Sequence, residues 1–64
     1  MTNEESKLVA EVAYENRRKA LGLSASFLRI LVRELEQANE RPLAHKTLVL
    51  LNEIEVRKNN LTIL

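Results

Sequence analysis

The chain has 64 residues, with ten Lys and Arg against nine Asp and Glu, no cysteine, one glycine and one proline, for a formal charge of +1. A chain this short buries only about 60% of the surface its unfolded form exposes, so it has room for one minimal core and needs a further staple. Zero cysteines remove disulfides, the single histidine (His45) removes a His/Cys zinc cluster, and association with another chain is what remains.

Two punctuation marks divide the sequence into three predicted helices. Gly22 follows an alanine- and charge-rich stretch, as a glycine just past a helix end does, because glycine takes the left-handed conformation there without steric cost. Pro42 suits a first helical turn, where its missing N–H would have had no partner. The first helix is predicted over residues 3–21. Thr2 and Glu5 have capping-box spacing at its start, and Arg17, Arg18 and Lys19 stand at the end that favours cations. Its main apolar face carries Val9, Val12, Ala13 and Ala20 with Leu8 at the edge, and Asn16 falls near the middle of that face. A second, weaker stripe runs Ala10, Tyr14, Arg17, Leu21.

The second helix is predicted over residues 24–40. Ser24 or Ser26 can cap it, and Phe27, Leu28, Leu31, Leu35 and Ala38 recur at spacings of three and four. The third, over residues 42–59, has two stripes. Leu43, Thr47, Leu50, Leu51, Ile54 and Leu61 form one, which is assigned to the intramolecular core. Nearly opposite run His45, Val49, Asn52, Val56, Asn59 and Ile63, a heptad seam. Three helices cannot cover both stripes from within, so another chain is expected on the second. Strand-period alternation and internal repeats do not occur, and the tail Leu61-Thr62-Ile63-Leu64 fits either a helix extension or an arm.

Composition and charge narrow the function classes. Hydrophobic residues at 45% and charged residues at 30% are globular values. The longest apolar run, Leu48 to Leu51, is far below the roughly 20 residues of a membrane span, and no signal-like segment follows the acidic start, so a soluble cytoplasmic protein is expected. The near-neutral total is a cancellation: residues 1–15 carry −3, residues 16–33 carry +5, residues 34–40 carry −3 and residues 41–64 carry +2. Any electrostatic recognition therefore lies in local patches. Aromatics at 3%, Tyr14 and Phe27, are too few for a base-stacking platform.

Enzymatic chemistry is not expected. The only histidine has no nucleophile or orienting group at a useful spacing, one glycine cannot build a phosphate loop, and carboxylate pairs such as Glu53 and Glu55 read as solvated faces. No cofactor, metal or small-molecule substrate is expected either. Within the seam of the third helix, Asn52 between Val49 and Val56 fits a polar residue that fixes register in a coiled coil. The dimer or partner interface is accordingly assigned to Val49, Asn52, Val56 and Ile63, with Tyr14 from the first helix.

The basic group Arg17, Arg18, Lys19, Arg29 and Arg33 straddles the segment Leu21-Gly22-Leu23-Ser24. That segment, with Arg18 to Leu28 around it, resembles the middle of a helix-turn-helix over about twenty residues, where such a turn precedes a recognition helix. It departs from the pattern at Arg18, where the family prefers a small residue. The resemblance implies that the basic group contacts DNA.

The expected fold is therefore all-α, a small helical hairpin or three-helix unit assembled as a homodimer. The expected function is that of a non-enzymatic regulator (an inhibitor, antirepressor or adaptor) that binds another protein. A helix-turn-helix-like DNA-binding regulator is the alternative.

Overall fold

The computed structural model describes residues 2–62 and has two helices, α1 (Asn3–Gln37) and α2 (Arg41–Asn59), packed as a hairpin. There is no strand among the described residues. Ile63, assigned above to the interface, lies outside them.

α1 starts where the capping box places it. The Thr2 hydroxyl accepts from the Glu5 amide at 3.1 Å, and the Glu5 carboxylate accepts from the Thr2 amide at 3.2 Å. The helix then runs through Gly22, so the expected helices over 3–21 and 24–40 are one helix, and the three-helix alternative gives way to the hairpin. The physical reason is that an interior glycine costs only about 1 kcal/mol, whereas a break would strand the last four carbonyls of one helix and the first four amides of the next. Gly22 has no positive φ. Ser26, expected as a cap, donates its hydroxyl to the Gly22 carbonyl at 3.1 Å, which is what a serine does inside a helix.

The reversal occurs at Asn39, the one non-glycine residue with positive φ (63°) among the described residues. The Glu40 amide donates to the Leu35 carbonyl at 2.8 Å and the Asn39 amide to the Glu36 carbonyl at 3.1 Å. Those two bonds make a Schellman closure with asparagine in the left-handed position. α2 begins at once, with the Ala44 amide donating to the Glu40 carbonyl at 2.9 Å and Pro42 in the first turn, as expected.

The inner face of α1 is Leu21, Ala25, Leu28, Val32 and Leu35, at spacings of 4, 3, 4 and 3, all buried or half-buried. From α2 come Ala44, Thr47, Leu51 and Ile54, with Leu61 just beyond its end, whereas Leu43 and Leu50, expected in the same core stripe, lie toward its edge and are 48% and 47% exposed. Only Ala25, Ala44 and Leu51 are buried outright among the described residues. Two of these three are alanines, which lets the helices approach closely. Arg29 of α1 and Glu55 of α2 form an ion pair across the hairpin.

The faces of α1 are ordered differently from expectation. The stripe read as weaker, Ala10, Tyr14 and Leu21, continues into the inner face. The one read as dominant, Val9 and Val12, turns outward. Phe27 and Leu31 also point out, while Leu28 and Leu35 point in, so the expected single stripe of residues 27–38 is split between two sides.

Candidate functional site

Helix geometry collects the outward residues of α1 into one stripe. At 100° per residue, Val9, Val12, Ala13, Asn16, Ala20, Leu23, Phe27, Ile30 and Leu31 fall within an arc of about 100°, centred about 120° round the helix from the seam with α2. The large members are well exposed, from Leu31 at 49% to Phe27 at 64%. The stripe is graded. Its N-terminal half holds Val9, Val12, Ala13 and Asn16, its C-terminal half Leu23, Phe27, Ile30 and Leu31, and Ala20 lies between. Sequence reasoning assigned parts of it to two separate helices, over residues 3–21 and 24–40. The period running unbroken through Gly22 is the signal that joins them.

The outer face of α2 carries the assigned interface residues Val49 and Val56, 49% and 51% exposed, with Asn52 exposed between them and His45 exposed one turn earlier. Leu48, Val49 and Asn52 line a shallow concavity with Leu51 and Glu55. Tyr14 is elsewhere. It is half-buried on α1 and lines a groove with Ala10, Ala13, Arg17 and Thr62, where the chain leaves α2. The structure does not bring it together with Val49, Asn52 and Val56.

The basic group is dispersed in the same way. Arg17, Arg18 and Lys19 are consecutive on a helix and so point about 100° apart. Arg17 borders an open groove with Leu21, Val56, Arg57 and Leu61. Arg18 is bound to Glu15 at 2.9 Å; that hydrogen bond first, and then the carboxylate's charge, hold its guanidinium more firmly protonated than usual. Arg29 is engaged with Glu55, and Lys19 and Arg33 are exposed. The Leu21-Gly22-Leu23-Ser24 segment is helical, so the turn that carried the helix-turn-helix resemblance is not made. Its physical reason is the same as for Gly22 above.

Among the described residues no group of three or more His, Cys, Asp or Glu side chains could hold a metal ion, and no helix is long and apolar enough to cross a membrane. No protein-family model matches the chain, and no curated protein or solved structure is significantly similar to it.

Proposed function

We propose that this chain is a non-enzymatic regulatory protein that acts by binding another protein, in the manner of an inhibitor, antirepressor or adaptor, and that it works as a homodimer in the cytoplasm. The observation that carries the reading is the balance of its apolar side chains: among the described residues Ala25, Ala44 and Leu51 alone are buried, whereas twelve large hydrophobic residues on both helices stand exposed. Scattered apolar residues are normal on a surface, but Val9, Val12, Leu23, Phe27, Ile30 and Leu31 fall into one stripe along α1, and Val49 and Val56 share a face of α2. Apolar patches rimmed by charge are what protein interfaces are built from, and the alternating charge blocks give such a surface orientation.

The α2 face with Val49, Asn52 and Val56 is assigned to the regulated protein. A photo-crosslinking side chain at position 49 should capture a protein in the source cell, and Val56→Glu in the same chain should abolish the capture. Salt-dependent binding of duplex DNA, lost when Arg17, Arg18 and Arg33 become Ala and accompanied by no captured protein, would replace this reading with the nucleic-acid one.

A further inference from the structure

We infer that the outer stripe of α1 is the self-association surface, and that it packs against a second copy of the chain in antiparallel orientation with Ala20 near the two-fold axis. This rests on the protein-binding reading above and names the occupant of one of its two surfaces.

The area is of the right size. The chain exposes 5464 Å², whereas a compact monomer of this size exposes about 4,200 Å². The excess, roughly 1,200 Å², exceeds the roughly 800 Å² per partner that a standard interface removes. Its source is shape. α1 is about 52 Å long and α2 about 28 Å, within an envelope of 55 × 15 × 13 Å. The outer stripe and the first turns of α1 are what α2 leaves uncovered.

The grading of the stripe chooses the orientation. Ala20 is the midpoint of Asn3–Gln37, so an antiparallel pair centred there overlaps over the whole of α1. In that register Val9 meets Leu31 of the second copy, and Val12 and Ala13 meet Phe27, small against large along the length, so the helix axes keep one separation. A parallel pair would set Phe27 on Phe27 and Ala13 on Ala13, prising one end apart and leaving a gap at the other. Antiparallel packing also opposes the helix dipoles. The first two turns of each α1 then lie along the last turns of the other.

The absence of native cysteine makes single introduced thiols clean probes. Under mild oxidation Ala20→Cys should couple to itself readily. Val9→Cys alone and Leu31→Cys alone should couple slowly, and a mixture of the two should form the mixed disulfide. Phe27→Glu should bring the sedimentation mass from two chains to one while the helical signal persists, since Phe27 makes no buried contact within a single hairpin. Val49→Glu should leave the mass at two chains. Self-coupling of Val9→Cys as fast as that of Ala20→Cys would overturn the antiparallel pairing, and a Phe27→Glu dimer would overturn the face. A wild-type monomer at micromolar concentration would overturn self-association altogether. Capture of a protein through position 49 would survive each of these results, which separates failure of this inference from failure of the functional reading.

Discussion

Asn39 and Gly22 exchange the roles that their residue types usually hold. Asn39 sits at φ 63°, where an L residue with a Cβ is strained and asparagine is better tolerated than most. Gly22 sits in ordinary helical backbone with open space around its missing Cβ. Gly22→Ala should therefore stabilise the protein by about 0.5–1 kcal/mol, because alanine loses less backbone entropy on entering a helix and meets no neighbour. Asn39→Ala should destabilise it by about 1 kcal/mol, from the left-handed strain alone. Urea titrations of both variants beside the parent measure the two effects. A glycine at position 22 that formed a turn would give the opposite sign for the alanine variant. The sequence contains the competing signals side by side. One glycine outweighs an asparagine as a helix terminator on residue type, and only the hydrophobic period continuing from Leu21 to Ala25 and Leu28 argues the other way.

At the scale of elements, the ends tied to local chemistry were legible: the Thr2–Glu5 capping box and Pro42 in the first turn of α2 are both where their residue types put them. The inner stripe of α2 was legible in part: Thr47, Leu51 and Ile54 lie on the packed side, whereas Leu43 and Leu50 stand at the edge of the same stripe and stay exposed, because α1 covers only a narrow arc of α2. The inner face of α1 was not. Which of two apolar stripes meets α2 depends on the phase carried through Gly22 and on the hand of the reversal at Asn39, and both are properties of the joined chain. The tightness of the hairpin also escapes a reading by hydrophobicity, because its most buried residue is Ala25, at 0% exposure. With so little buried, each large core side chain matters. Leu51→Ala should cost about 2–3 kcal/mol, a large fraction of what a core this size supplies, whereas Glu55→Ala, which removes the half-exposed pair with Arg29, should cost at most about 1 kcal/mol. Thermal melts followed by circular dichroism would rank the two, and a Glu55→Ala loss equal to that of Leu51→Ala would mean that the ion pair, rather than the apolar seam, holds the hairpin.

For the whole molecule, the telling feature is that α1 outruns α2. The last described residue, Thr62, lies beside Ala10 and Tyr14, so the turns from Asn3 to Val9 extend past the described part of the second arm. An isolated helical segment of that length is unstable in water, because nucleation is costly and few bonds repay it. The capping box contributes about 1 kcal/mol at its start, which delays fraying without preventing it. Persistence of these turns therefore depends on what lies along Val9 and Val12. If a second copy does, amide exchange from Lys7 to Val12 in the wild-type protein should be much slower than in the Phe27→Glu variant, although the substitution is many turns away on the same helix. Amides near Leu28 and Leu51, within the hairpin seam, should change far less. Native-state hydrogen exchange read by NMR on both proteins makes the comparison. Equal rates from Lys7 to Val12 would show that self-association leaves the overhang uncovered, whereas loss of protection there alone would tie the order of one chain's N-terminal turns to the C-terminal half of another's α1.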